Sequence, residues 1–256
     1  MNIKKDRNNY NTESLIISDD EARYILSIEN PDNEISQMLL EIAINTSNNY
    51  SFVDHQTYPR PNHPRKEKRL SPEFTFAAII TSLRCTLETE QRVVNNLINI
   101  TQSDSKKLNS IKIDYLEEIL KPAGMARQKS IWIKEGLSKL QSNQEYYIDS
   151  LRQMSTEEAR RKLLTLKGVG PKAVDCFLLL GLDIPVFPVD INVFKLVTKL
   201  FPEYVTKNPD VQPNFSNPNH VRSTKLLLEG SFTQETKLYQ TLHTYLLLTE
   251  KYKIVI

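Results

Sequence analysis

Two of the chain's 6 glycines stand two residues apart in LKGVGPKAVDCF, residues 166–177, and helix-forming sequence flanks them on both sides. The segment before them opens STEE, in which Ser155 and Glu158 form a capping box, and continues through Leu163, Leu164 and Leu166. Lys167-Gly168-Val169-Gly170 does not extend that helix cheaply, and glycine admits the positive φ of a tight reversal. Pro171 then occupies the first position of a new helix, where its missing N–H is no loss. Residues 155–182 therefore predict a helix, a hairpin and a second helix. Such a hairpin directs backbone N–H groups at the start of a helix toward a phosphate oxygen, a contact that carries no base sequence. A bare G-x-G serves equally as a turn between two core helices, so the pattern needs support from elsewhere.

Little in the rest of the chain alternates with the period of a strand. Helical spacing recurs at 19–48 (with a break at Asn30-Pro31), 88–100, 112–121, 127–141, 145–153, 190–201, 222–229 and 233–252. SPEFTFAAIITSLRC, from residue 71, opens with a capping serine and a proline and is apolar nearly all round, which predicts a buried helix. HQTYPRPNHPRKEKRL, residues 55–70, is too proline-rich for a helix and predicts an extended linker. Its cations Arg60, Arg65, Lys66, Lys68 and Arg69 fit either a solvated tether or a contact with a polyanion. Residues 205–224 predict a long loop. The expected fold is all-α.

A net charge of +2 neither demands nor excludes a polyanionic partner. No apolar run approaches the length of a membrane span, and residues 1–14 lack the apolar core of a secretory signal, so an intracellular protein without a membrane partner is expected. Two cysteines, Cys85 and Cys176, and four scattered histidines give no metal constellation. Trp132 reads as a core residue, and Lys106-Lys107 and Arg160-Arg161-Lys162 as solvated helix faces.

Lys172 falls at the second position of the predicted helix, where the macrodipole disfavours a cation. The same field, with partial burial, lowers a lysine pKa and supplies the neutral amine that a nucleophile needs. Asp190 follows eighteen residues later in PVFPVDINVFKLV. It reads as an N-cap, or as a carboxylate able to face Lys172.

Taken together, LKGVGPKAVDCFLLLGLDIPVFPVDINVFKL resembles the signature of the helix-hairpin-helix DNA glycosylases, in particular the endonuclease III-like branch. That signature runs L-x-G-V-G-x-K, then an apolar helix, then V-D-x-x-V/I-x-R/K. SPEFTFAAIITSLRCTLETEQRVVNNL is similar to the family's first barrel helix, and YLEEILKPAGMARQKSIWIKEGL to the segment with its glycine-then-lysine turn, here Gly124 and Lys129. The resemblance covers residues 71–200 well and the flanks loosely. It implies a barrel lobe over 71–200 with the hairpin at a DNA-binding cleft, and a second lobe in which 1–70 pack with 201–256. It further implies a monomer acting on double-stranded DNA that holds a damaged base, a mismatch or an abasic site. Lys172 would be the Schiff-base nucleophile and Asp190 the carboxylate assisting base departure. Lys167, Gly168, Val169, Gly170 and Lys129 would contact DNA, and Arg84 would take the wedge position where relatives carry glutamine.

The resemblance also marks a departure. TLHTYLLLTEKYKIVI is similar to the helix leading to the family's four-cysteine iron–sulfur loop, and the sequence stops where the first of those cysteines would come. A member without the cluster is expected, with a chain lacking its C-terminal portion as the alternative. The expected activity is base excision with abasic-site lyase chemistry on altered pyrimidines; a lyase without excision and a non-catalytic backbone-binding module are the alternatives.

Overall fold

The computed structural model describes residues 24–27, 29, 33–49, 70–208 and 210–254. The cations of the basic linker lie outside these residues. Among the described residues the elements are thirteen α-helices of five or more residues, two 3₁₀ turns (Lys121–Ala123 and Gln144–Tyr146) and no strand.

The organising element of the first lobe is α2, Pro72–Ser82; α1, Glu34–Asn49, precedes it in the chain. Ser71 caps α2 by accepting the Phe74 N–H, Pro72 fills the first turn, and every residue from Phe74 to Thr81 is buried. Each large apolar side chain buried here contributes roughly 1.5–3 kcal/mol. Around α2 pack α3 (Leu87–Thr101), α4 (Ser105–Ser110), α6 (Ala126–Ser142) and α9 (Pro171–Gly181), with α5 (Ile113–Leu120) against α6. Phe76 of α2 meets Phe177 of α9 edge to face at 5.8 Å. On the other side a Cβ at Gly136 would lie 2.2 Å from the Phe76 ring, so only glycine lets α6 come this close. The lobe is completed by α7 (Ile148–Gln153) and α8 (Thr156–Leu163), and α8 packs on α9.

The second lobe consists of α1, α10 (Ile191–Leu200), α11 (Pro202–Thr206), α12 (Pro218–Ser231) and α13 (Thr236–Tyr252). Its axis is α13, which packs on both α1 and α10. A buried hydrogen bond of 2.6 Å between the hydroxyls of Thr46 and Thr249 ties α1 to α13. The all-α, two-lobe expectation holds, with a correction to the boundary. Because α10 makes its main contacts with α11, α12 and α13, residues 191–200 belong to the second lobe, and the crossing lies in the non-helical stretch 183–190. Lys106 and Lys107, read as a solvated helix face, lie exposed on α4, which Asp104 caps. A further correction concerns local structure. The expected loop 205–224 holds the start of α12, where Asn217 and Pro218 repeat the cap-then-proline device of Ser71-Pro72. No described helix is long and apolar enough to cross a membrane.

Candidate active site

The hairpin forms as its residues dictate. Ser155 and Glu158 complete the capping box of α8, and that helix ends at Leu163. Gly168 takes φ +76°, and a Cβ there would sit 2.3 Å from the Trp132 ring. Two independent constraints thus require glycine: the left-handed backbone and the indole packed on it. Val169 closes the turn by donating its N–H to the Leu166 carbonyl at 3.3 Å, while its side chain packs on the core. Gly170 is different. Its φ of −97° suits any residue, and an added Cβ would meet nothing within 4 Å. Only Gly168 therefore uses the positive φ expected of the pair; what glycine gives at 170 is clearance in front of α9. No side chain caps that helix, and a helix start without a side-chain cap is the kind of place where an anion binds.

Lys172 stands half-buried at the second position of α9, which begins at Pro171. Asp190 is the N-cap of α10, with Oδ1 accepting from the N–H groups of Asn192 and Val193, each at 2.9 Å. The capping role is therefore real. It also fixes the carboxylate, because two backbone bonds hold one oxygen and leave the group little rotational freedom. The preceding Val186 to Val189 are buried, which anchors the segment that delivers Asp190.

The remaining expected residues divide. Arg84 is exposed in the turn after α2 and has φ 51°, a left-handed backbone for a residue with a Cβ. Outliers of this kind cluster where function holds them. Lys167 is exposed and pairs with Glu135 at 3.0 Å. Lys129 requires correction: it is fully buried, and its Nζ donates to the carbonyls of Thr81 and Ala123, both at 2.8 Å. A side chain enclosed in this way contacts no DNA. It ties the C-terminal turn of α2 to the Gly124 turn. Burial lowers the Lys129 pKa from the ordinary lysine value, with Cys85 and Glu90 opposing the shift. Burial likewise raises the Cys85 thiol, so it stays protonated.

Four residues of consequence escaped the sequence reading. Asp175 of α9, 5 % exposed, meets Arg160 of α8 on Oδ1 and Lys225 of α12 on Oδ2, the latter at 2.6 Å. Lys225 lies 3.7 Å from Glu229, and Glu229 Oε1 accepts the Phe187 N–H at 2.8 Å. Arg160 is thus no solvated surface cation, and neither is Lys162, which lies over the Tyr146 ring and pairs with Glu145. The available signal was Asp175 itself, a lone carboxylate in the apolar run AVDCFLLLG. Among the described residues no cluster of His, Cys, Asp or Glu could hold a metal ion.

No family model matches the chain. It is 34 % identical over 105 residues to an Arabidopsis thaliana protein named as a DNA glycosylase, a match covering 41 % of this chain and 35 % of that protein. It is 30 % identical over 121 residues to the Arabidopsis thaliana transcriptional activator DEMETER, covering 46 % of this chain and 6 % of DEMETER. The chain thus spans about a third of the first relative's length and a small part of the second's. Among solved structures it is similar to an endonuclease III–DNA covalent intermediate (TM-score 0.55, 15 % identity, 92 % of this chain and 87 % of that one). It is also similar to the Clostridium acetobutylicum 8-oxoguanine glycosylase/lyase bound to DNA (TM-score 0.59, 17 % identity, 95 % and 73 %). At such identities these structures establish a shared fold.

Proposed function

We propose that this chain, which has the helix-hairpin-helix DNA glycosylase fold, excises a base from double-stranded DNA and cleaves the resulting abasic site. The observation that carries the reading is the pairing of elements at the hairpin. An uncapped helix start with cleared ground at Gly170 carries Lys172 in its first turn, and eighteen residues on a carboxylate is fixed by its own cap. A module that only gripped phosphates would need neither the lysine nor the carboxylate.

The chemistry follows from these two groups. The target nucleotide leaves the stack and enters the cleft between the lobes. Asp190 stabilises positive charge developing at C1′, both as the N-glycosidic bond breaks and the base departs with the bonding electrons and, at an abasic site, as the lysine iminium forms there. The Lys172 amine, once its proton is lost, forms a bond to C1′, giving after ring opening an iminium. Loss of a C2′ proton then expels the 3′ phosphate, which nicks the strand on the 3′ side. Arg84 fills the space left by the flipped nucleotide. The substrate is an altered pyrimidine, in keeping with the branch whose motif the hairpin matches most closely.

The iron–sulfur cluster of endonuclease III-like proteins does not fit this chain. A cluster of four irons needs four thiolates. This chain has 2 cysteines, of which Cys176 is buried in α9 and Cys85 bonds the Thr86 carbonyl. Purified protein should contain no iron. The chain works inside the cell, where its substrate is, as a monomer.

The testing experiment is a panel of duplexes, each with one altered pyrimidine, mismatch, 8-oxoguanine or abasic site, scored separately for base release and nicking. Release of an altered pyrimidine with nicking is expected. Release of 8-oxoguanine alone would overturn the pyrimidine assignment. Nicking of abasic DNA without any base release would reduce the activity to a lyase.

A further inference from the structure

We propose that Asp175, Lys225 and Glu229 are positioning residues that fix Asp190 relative to Lys172, an inference resting on the function proposed above. Asp175 lies three residues after Lys172 on the same helix, so the rigid first turns of α9 couple the two. Phe187, whose N–H is held by Glu229, lies three residues before Asp190. Between these ends runs one chain of contacts. Asp175 binds Lys225 at 2.6 Å, Lys225 lies 3.7 Å from Glu229, and Glu229 accepts from Phe187 at 2.8 Å. Arg160 closes the other side of Asp175, and Tyr239 donates its hydroxyl to the Glu229 carbonyl at 3.1 Å.

The route matters because the segment it controls has no regular structure. Residues 183–190 form neither helix nor strand, so no ladder of backbone bonds sets where Asp190 stands. Side chains from the second lobe set it instead. The four charges alternate in sign and sum to zero, and their side chains are between 7 % and 21 % exposed. Buried ion pairs of this kind are seldom more stabilising than apolar residues of equal volume. What they add is geometry, since Asp175 is held between two cations, and Glu229 between the Lys225 ammonium and the Phe187 amide. Apolar packing of Phe187 on Tyr239 and His243 places the segment coarsely; the carboxylate of Glu229 sets its register.

The test uses the full chain and a duplex with one abasic site, so that the lysine step is read without base release. Single-turnover borohydride trapping, DNA affinity and thermal unfolding are measured for Glu229→Ala, Glu229→Gln and Lys225→Met. Glu229→Gln keeps an acceptor for the Phe187 N–H, whereas Glu229→Ala removes it. A misplacement near 1 Å costs on the order of a hundredfold in rate, so Glu229→Ala should trap at about a hundredth of the wild-type rate with unchanged DNA affinity. Glu229→Gln should restore most of that rate. Should Glu229→Ala fail to fold, Lys225→Met decides: it keeps the Phe187 bond and breaks the link to Asp175, and slowed trapping at unchanged affinity supports the inference. Wild-type trapping rates in the folded variants would overturn it while leaving the proposed function intact. Equal slowing in Glu229→Ala and Glu229→Gln would also overturn it, because the acceptor would then be irrelevant. Failure of the wild-type protein to trap at all would bring down both.

Discussion

The chain contains two glycine-then-lysine turns, and they have opposite fates. In the first, Gly124 has φ +69° and Lys129 points inward, fully buried, its ammonium bonded to two carbonyls. In the second, Gly168 has φ +76° and Lys172 stays half-buried at the opening of α9. The backbone device is nearly the same. What separates them is the element that follows. Lys129 lies within the first turn of a helix that runs beneath the C-terminal end of α2, so it faces carbonyl groups that lack helical partners. Lys172 lies at the start of a helix fronted by Gly170, where no side chain intrudes. The lysine aimed at carbonyls is a strut; the one at the cleared helix start is the nucleophile proposed above.

Substitution should separate the two turns sharply. Lys172→Gln should lower borohydride trapping on abasic DNA by at least about a thousandfold, the scale of losing a nucleophile, with DNA affinity retained; trapping at the wild-type rate would remove the nucleophile assignment. Asp190→Asn comes next. Asparagine caps a helix as well as aspartate does, so unfolding should change little while excision slows by about a hundredfold, the scale of a lost electrostatic contact in the transition state. Undiminished excision would leave Asp190 as a cap alone.

The next three effects fall on stability and affinity. Gly168→Ala forces a Cβ against Trp132 on a left-handed backbone and should cost about 3 kcal/mol, visible as a lower Tm. Lys129→Met orphans the Thr81 and Ala123 carbonyls and should cost about 2 kcal/mol, with trapping chemistry preserved in the folded fraction. This loss should depend on pH. The folded-state pKa of Lys129 lies below the ordinary 10.5, so between the two values the unfolded chain holds the extra proton and stability from this group rises with pH. The gap between wild type and Lys129→Met should therefore widen toward alkaline pH; a constant gap would contradict a buried ammonium. Gly170→Ala is the mildest change. Its Tm should stay close to wild type, while duplex affinity falls about tenfold, the scale of one charge-assisted phosphate bond. Unchanged affinity would mean that the cleared ground is not used.

These contrasts show how far a linear sequence reaches. Local devices were legible: Ser71-Pro72, the Ser155–Glu158 box and Pro171 each announce a helix start through chemistry confined to a few neighbours. The placement of Lys172 in a first helical turn and of Asp190 at an N-cap was legible for the same reason, since each is set within one short segment. Lys129 was not, because its burial depends on α2, some fifty residues earlier, and a lysine in a helical pattern looks the same whether it faces water or carbonyls. Glu229 was hidden more deeply. Its partner is a backbone N–H, which every residue but proline possesses, so nothing in the sequence marks the pair. The start of α12 was missed because prolines and asparagines, dense around residue 214, signal loop and cap alike.

The hydrogen bond between Thr46 and Thr249 spans 203 positions of the chain, and that separation bears on how the molecule forms. As the polypeptide emerges from the ribosome, α1 is made early, yet the surface it packs against, α13, arrives only after roughly two hundred more residues. The first lobe, whose helices lie close in sequence, can assemble in the interval; contacts between near neighbours form fastest. Meanwhile Leu39, Ile42 and Ala43, each buried in the finished protein, have no native partner and present an apolar stripe. Until α13 arrives, that stripe is the kind of transiently exposed apolar surface from which aggregation starts.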